Sequence, residues 1–346
     1  MSEPSASSRS GPNLLSHLYG LVAKQRRRWY DRRPEARRRL AQPVISIGAL
    51  TVGGSGKTPI VAHVATVLLG MGERPVILSR GYHRQQPVDG VVVVRDRTGI
   101  RSDLARSGDE PFMLARALAE VPVLVSEDRH VAGRLAETHL GATVHLLDDG
   151  FQHFSLYRDV DLVVIGAADV ADPRTLPAGR LREPLDTVRR ADALVVETPS
   201  TDQVQQVAGR FGVETVFHFT RRLLAPRDAG TQQEVTLQVG TRVLAVAAIA
   251  RPEVFFEALR SYGYTIVETM TFRDHHPFSE DDLAAIGRAV LSHGAEFVAT
   301  TEKDLVRLLP HAPFAFPMVW VPLTVSVEPA DSFRVWLGER LGQARA

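Results

Sequence analysis

Thr51-Val52-Gly53-Gly54-Ser55-Gly56-Lys57-Thr58 is the stretch on which the fold of this chain turns. The apolar run Val44–Ile47 before it predicts a buried strand, and Pro59–Leu69 after it predicts a helix. A glycine-rich turn in that setting lets successive backbone N–H groups curl around a phosphate, and the helix N-terminus adds partial positive charge. Lys57 is then placed to reach the β- and γ-phosphates of a nucleotide, and the Thr58 hydroxyl to face Mg2+. Pro59 suits the first helical turn, where its missing N–H costs nothing. The usual pattern opens on glycine; here Thr51 holds that position.

Outward from the loop, short apolar runs alternate with helical stretches. Pro75–Leu78, Pro122–Val125, Val144–Leu147, Asp161–Ile165, Ala193–Glu197 and Glu214–Phe219 read as strands, with helices such as Glu110–Ala119 and Arg129–Leu135 between them. The alternation predicts an α/β fold, a mostly parallel sheet with helices on both faces, and with the Thr51–Thr58 loop it is expected to be P-loop NTPase-like. Right-handed crossovers bring the strand ends to one functional edge. The pattern changes at residues 222–242, where Pro226-Arg227-Asp228-Ala229-Gly230 and the alternation Glu234–Val239 predict a β-hairpin linker. A smaller C-terminal α/β domain is expected over 243–346, with strands Val243–Ala250, Thr265–Phe272, Glu296–Thr300 and Met318–Val325. Its helices are expected at Pro252–Ser261, Glu280–Ser292 and Ala330–Leu341. The phosphate-loop core then spans 41–221.

With 346 residues, 44% of them hydrophobic and 23% charged, the chain excludes disordered, collagenous and disulfide-rich classes. It has no cysteine, which removes disulfides and thiolate zinc sites and suits a reducing compartment. The net charge of +1 conceals an asymmetry: residues 1–40 carry 10 Lys+Arg against 3 Asp+Glu. Lysine occurs only at 24, 57 and 303, so the lysine of the phosphate loop stands out among 38 arginines.

The basic arm has structure of its own. After a polar tail over 1–12, expected to be frayed, Leu14, Leu15, Leu18, Leu21 and Val22 recur at helical spacing. Arg26-Arg27-Arg28, Trp29-Tyr30, Arg32-Arg33 and Arg37-Arg38-Arg39 follow. An apolar face bordered by arginine and aromatic residues suits an interfacial helix, with guanidinium groups meeting lipid phosphates. A helix packed on the protein's own surface with solvated arginines is the other reading. A nucleic-acid arm is disfavoured by the leucine face. No apolar run approaches a bilayer span, and the order of charge and apolar residues is not that of a secretory signal. A cytoplasmic protein that touches a membrane is expected.

Six further segments carry chemistry-bearing residues. Val144–Leu147 leads into Asp148-Asp149-Gly150-Phe151-Gln152-His153, where a strand ending in carboxylates beside a phosphate loop can complete a Mg2+ site. Adjacent aspartates at a strand end point to opposite sides, so the two can take different tasks. Ser107-Gly108-Asp109-Glu110-Pro111 opens a helix, with capping as its plain explanation. Phe272-Arg273-Asp274-His275-His276 suggests a general base with an orienting partner, or a surface turn. Thr300-Thr301-Glu302-Lys303-Asp304 is an ordinary helix start that can also present Lys303 to a nucleotide. Arginines of Pro177–Pro184 and of Ser79-Arg80-Gly81-Tyr82 can bind an acceptor phosphate.

Taken in chain order, with the arm, the combination resembles the tetraacyldisaccharide 4'-kinase family of bacterial lipid A synthesis. The Thr51–Thr58 loop paired with Asp148–His153 is highly specific to it. The resemblance implies transfer of the ATP γ-phosphoryl group to the 4'-hydroxyl of a disaccharide lipid carrying a 1-phosphate. It implies nucleotide binding by Thr51, Val52, Gly53, Gly54, Ser55, Gly56, Lys57 and Thr58, with Lys57 also catalytic. Asp109 would accept the hydroxyl proton, supported by His275 once the C-terminal domain closes over the nucleotide. Thr58, Glu110, Asp148 and Asp149 would hold or orient Mg2+, and Arg80, Tyr82, Arg129, Gln152 and His153 would face the acceptor. The turn Ala248-Ile249-Ala250-Arg251-Pro252 departs from the glycine and asparagine expected there. The implied location is peripheral, on the cytoplasmic face of the inner membrane, without nucleic acid or an obligate protein partner. A membrane-recruited nucleotide switch and a soluble small-metabolite kinase are the competing readings; the first needs no acceptor base, and the second leaves the leucine-arginine arm without a purpose.

Overall fold

The structure is a computed structural model that describes residues 14–52, 54, 56–82, 84–198 and 200–346. The expected tail over 1–12 and the loop residues Gly53 and Ser55 lie outside the described residues. The strands, in chain order, are β1 (Val44–Ala49), β2 (Pro75–Ser79), β3 (Val92–Asp96), β4 (Gly99–Ile100), β5 (Val123–Val125), β6 (Val144–Asp148), β7 (Val160–Ile165) and β8 (Ala193–Glu197). They continue with β9 (Val216–Leu223), β10 (Arg227–Asp228), β11 (Arg242–Ala247), β12 (Thr265–Thr271), β13 (Phe297–Thr301), β14 (Met318–Val321) and β15 (Leu323–Glu328).

Ten strands form one sheet in the order β15-β9-β8-β7-β1-β6-β2-β5-β3-β4. Its interior pairs are parallel, and the antiparallel pairs, β15 with β9 and β3 with both β5 and β4, lie toward the margins. Strands β1, β2 and β6 are buried throughout, as strands covered on both faces must be. One face packs against the helices Lys57–Gly70 and Ala330–Arg345, where Phe333, Leu337 and Leu341 supply a buried stripe at successive turns. Register places Ile47 opposite Asp148, so the strand that feeds the phosphate loop ends beside the strand that ends in carboxylate. The sequence reading passed over β3, a short strand of intermediate burial with one fully buried residue, Val94.

The second sheet, β10-β14-β13-β11-β12, is covered on its two faces by separate clusters around Phe278, Ile286 and Leu305 and around Phe255, Phe256 and Leu259. The expected single strand Met318–Val325 is two strands in two different sheets. Pro322 stands between them without an N–H to donate to a ladder, and β14 stays in the small sheet while β15 crosses to pair with β9. The chain beyond Pro322 therefore returns to the large unit, so the smaller unit does not run to residue 346 as expected. The core likewise runs past residue 221, to the end of β9 at Leu223. Within the expected linker, Arg227 bridges Glu234 and Asp228 N donates to Gln233 O, a tight hairpin whose first strand, β10, joins the small sheet. The two crossings between units lie side by side, with Leu223 opposite Leu323 and Leu224 N donating to Pro322 O at 2.9 Å.

The helix Leu14–Asp31 docks by its small and polar face. Ser16, Gly20 and Arg27 are buried, Arg27 pairs with Glu183 at 2.6 Å, and Ala178 N donates to the Ser16 hydroxyl at 3.0 Å. The leucine face points outward: Leu14, Leu15, Leu18, Leu21 and Val22 are 50–75% exposed. The helix is thus packed on the protein's own surface, as one of the two expectations had it, but through its small and polar face and with the leucines left outside.

Candidate active site

The helix Lys57–Gly70 starts at Gly56, whose φ of 82° is a left-handed conformation that glycine adopts without strain. The N-cap glycine offers no side chain to cap this end, and the N–H groups of a helix's first turn, which have no partner within the helix, favour an anion. Thr51 is buried and bridges Leu181, while Val52 N donates to Arg180 O at 3.0 Å. The loop Pro177–Pro184 thus packs directly on the phosphate loop. Thr58 is buried behind it, and Lys57 lies 3.6 Å from Asp149 Oδ1.

The two aspartates at the end of β6, Asp148 in the strand and Asp149 just past it, have different partners. Asp149, with a φ of 55°, turns toward cations: Arg182 grips both its oxygens at 2.5 and 2.6 Å. Enclosure by protein pushes its pKa up, but Lys57 and Arg182 outweigh that and hold it at about 2. Asp148 is buried and accepts only a long 3.4 Å bond from Ser79 on Oδ2, and its Oδ1 has no hydrogen-bond partner among the described residues. Burial, then the charges of Glu110 and Asp149, push Asp148 up to about 7. An orphaned, buried carboxylate oxygen beside Thr58 and a phosphate loop has the hard-oxygen chemistry that Mg2+ takes.

Gly108 precedes the helix Asp109–Ala117 with a φ of 83°, and a Cβ there would stand 2.7 Å from Tyr82 O. Glycine therefore lets the Ser79–Tyr82 loop and the start of this helix touch. Asp109 is buried and meets the second unit: His275 Nδ1 lies 2.9 Å from its Oδ2, and Arg307 Nε 3.4 Å from the same oxygen. Burial raises the Asp109 pKa, but the bond from His275 and the charge of Arg307 more than reverse it and leave it below the ordinary carboxylate value. Lys303 Nζ stands 3.2 Å from His275 Nε2, 3.3 Å from Asp274 and 3.9 Å from Glu110. His275 has a φ of 62°, which turns it away from its neighbour; His276 instead pairs with Asp282 at 2.9 Å and stacks on Phe272. The two histidines therefore do not share a metal site.

Arg80, Tyr82, Arg129, Gln152 and His153 line the same cleft of about 1660 Å3 as Lys57, Thr58, Glu110, Asp148, Asp149 and His275. Arg80 and Tyr82 are exposed. Arg129 is buried, and burial followed by the charge of Arg80 lowers it to about 10. Burial and then the charges of Arg129 and Arg158 push His153 down to about 3, so its ring is neutral at physiological pH. Gln152 donates to Ala49 O at 3.2 Å and keeps a buried oxygen without a partner among the described residues. At the rim, Tyr19, Val22 and Arg26 of the N-terminal helix join the lining.

Three participants escaped sequence reading in their present roles. Arg182 was only one arginine of a loop, yet it neutralises Asp149. Lys303, read as part of a helix start that can also present it to a nucleotide, lines the cleft and in addition meets His275. Arg307 was not singled out; its one sequence signal is its place four residues after Lys303, on the same face of one helix.

A phosphate loop, a strand-end carboxylate and the histidine of an Asp–His pair, all lining one cleft, belong to the P-loop-type phosphotransferases, enzymes that hand a phosphoryl group to an acceptor. The family model of tetraacyldisaccharide-1-P 4'-kinase matches residues 13–342, and the chain belongs to that family. It is 40% identical over 298 residues to the tetraacyldisaccharide 4'-kinase of Pelobacter propionicus, covering 85% of this chain and 82% of that one. The corresponding enzyme of Nitrobacter hamburgensis is 39% identical over 335 residues, with 95% and 93% covered. Among solved structures, LpxK from Aquifex aeolicus in complex with ATP superposes with a TM-score of 0.76 at 32% identity, covering 94% of this chain and 97% of that one.

Proposed function

We propose that this kinase transfers the γ-phosphoryl group of ATP to the 4'-hydroxyl of a tetraacyldisaccharide 1-phosphate, working at a lipid surface. The observation that carries the reading is a single cleft that holds Lys57 and Thr58 at one wall and His275, paired with Asp109, at another. Phosphoryl transfer needs positioning and charge neutralisation more than covalent help. The loop N–H groups and Lys57 hold the β- and γ-phosphates. Mg2+, when bound by Thr58 and Asp148 with Glu110 and Asp149 nearby, spreads the charge of the transferring group.

Asp109, held ionised by His275 and Arg307, accepts a hydrogen bond from the attacking hydroxyl and then its proton. His275, bonded through Nδ1, orients that carboxylate and shares the charge change. Because the pair spans the two units, closure of the small unit over the nucleotide completes it. On the acceptor side, Arg80 and Arg129 repel one another, and an anionic headgroup relieves that repulsion.

The lipid surface enters through the N-terminal helix. Its leucines face away from the protein, its buried face pairs with the core, and Tyr19, Ala23 and Arg26 from its middle line the cleft. Such a face enters the acyl boundary while neighbouring arginines and Trp29 stay at headgroup level. No helix among the described residues is long and apolar enough to cross a membrane. Peripheral attachment to the cytoplasmic face of the inner membrane follows from the substrate as well as from this helix.

The test is transfer of labelled γ-phosphate from Mg-ATP to a tetraacylated disaccharide 1-phosphate in mixed micelles, with Lys57→Ala alongside. A labelled lipid that disappears in the variant is expected. Nucleotide hydrolysis with no labelled lipid would overturn the kinase reading in favour of a membrane-recruited nucleotide switch.

A further inference from the structure

The phosphate loop is also touched by an arginine from the other unit. Arg251 sits between β11 and the helix Pro252–Ser261, immediately before the proline that opens that helix. Its Nη2 donates to Gly54 O at 2.8 Å and stands 3.9 Å from Glu197 Oε2. A Cβ on Gly54 would lie 3.7 Å from Arg251 Nε, so the guanidinium lies against the loop itself.

The charges around this contact do not balance. Glu197, at the end of β8, is already paired with Arg221 at 2.7 Å, and Arg221 Nη2 would be 2.9 Å from a Cβ on Gly56. Asp149 is shared between Lys57 and Arg182. Four cations thus surround the loop, against Glu197 and Asp149 paired with them and the buried Asp148 that Lys57 also faces, and Arg180 reaches Val52 O at 3.3 Å as a fifth. Arg221 is held below its ordinary pKa by burial, with Arg251 pushing the same way. A polyanion laid in the loop relieves this crowding. Arg251 is the cation suited to move onto it, because its short contact is to a neutral carbonyl and its side chain is 36% exposed at the cleft wall.

We propose that Arg251 is a nucleotide-phosphate ligand supplied by the second unit, engaging the polyphosphate held by the loop Val52–Lys57. The proposal rests on the reading that this loop binds ATP. A planar fork with five donors can keep a bond to Gly54 O while presenting others to phosphate oxygens, which a lysine ammonium cannot do with the same geometry. Since Arg251 rides on the second unit and the loop on the first, the contact also favours the closed arrangement when nucleotide is present.

Calorimetric titration of the full chain with ATP, and separately with inorganic tripolyphosphate, tests this. Wild type, Arg251→Gln, Arg251→Lys and Lys57→Ala are compared, with thermal melting to confirm that each variant is folded. Arg251→Gln is expected to weaken both probes about ten-fold, the scale of one charge-assisted hydrogen bond, and Arg251→Lys to recover part of it. In turnover, the KM for ATP should rise by a similar factor while that for the lipid acceptor holds. Unchanged affinity of Arg251→Gln for both probes overturns the proposal. Loss for ATP with none for tripolyphosphate overturns it too, by moving Arg251 to the base or ribose. If wild type binds neither probe, or Lys57→Ala binds as well as wild type, the nucleotide reading of the loop fails, and the proposal with it.

Discussion

His275 Nδ1 lies 2.9 Å from Asp109 Oδ2, although the two residues are 166 positions apart and belong to different sheets' units. Neither residue is strongly marked by its own neighbours in sequence. Their meeting makes a proton-accepting pair that is complete only when the two units are together.

Replacing either partner should leave nucleotide binding intact and cut transfer. Asp109→Asn and His275→Ala are each expected to lower kcat about 10²–10⁴-fold, the usual contribution of a positioned acid–base group. Because the two act as a unit, the double variant should lose little more than the worse single one, which a rate cycle at saturating ATP measures.

The lowered pKa of Asp109 has a stability consequence of definite sign. A carboxylate whose folded-state pKa lies below its unfolded one stabilises the fold above the unfolded value and loses that contribution as pH falls through the folded one. The stability gap between wild type and Asp109→Asn should therefore narrow on acidification through the ordinary carboxylate range and below it. Urea unfolding at a series of pH values would show it; a gap that widens in acid contradicts the arrangement.

Asp148 should behave in the opposite sense. Its pKa is raised to about 7 by burial and by Glu110 and Asp149, so stability from its protonated form is full below the unfolded value and is lost as pH rises toward 7. Asp148→Asn is expected to melt higher than wild type, by more at pH 8 than at pH 5, while losing phosphoryl transfer. Mg-ATP should raise the melting point of wild type more than that of the variant.

Arg307 ties together three elements. Besides Asp109, it pairs with Asp304 at 2.6 Å and donates to Ala248 O at 3.0 Å and His276 O at 3.3 Å, with its side chain only 5% exposed. Arg307→Met leaves the fully buried Asp304 without its cation, so a loss of about 3–5 kcal/mol in unfolding free energy is expected. Arg307→Lys should restore part of the stability. It should restore less of kcat, because an ammonium cannot span Asp304 and Asp109 with one planar fork.

The leucine face makes a separate prediction. Changing Leu14, Leu15, Leu18 and Leu21 together to serine removes apolar surface that the protein itself does not bury. Sedimentation with anionic vesicles should fall at least ten-fold and the melting point should change little. Arg27→Met, by contrast, strands Glu183 in a buried setting and should loosen the docked helix, seen as faster proteolysis of the arm.

Much of this was legible in the residues because the signals are local. A glycine turn between β1 and a helix, the alternation of strands and helices, and carboxylates at the end of β6 are each written within about ten residues. Backbone preference and apolar periodicity act over that range. Sequence therefore determined the class of fold, the phosphate loop, the helical arm and the candidate residues from Lys57 to His275. Tertiary structure decided how these combine. It split Met318–Val325 between two sheets, turned the leucines of the arm outward and Arg27 inward, and set Arg182 on Asp149 and Arg307 on Asp109. Those outcomes depend on the register of strands and the docking of faces far apart in the chain. Such contacts are selected by the burial and charge balance of the whole molecule, which no short stretch of sequence contains.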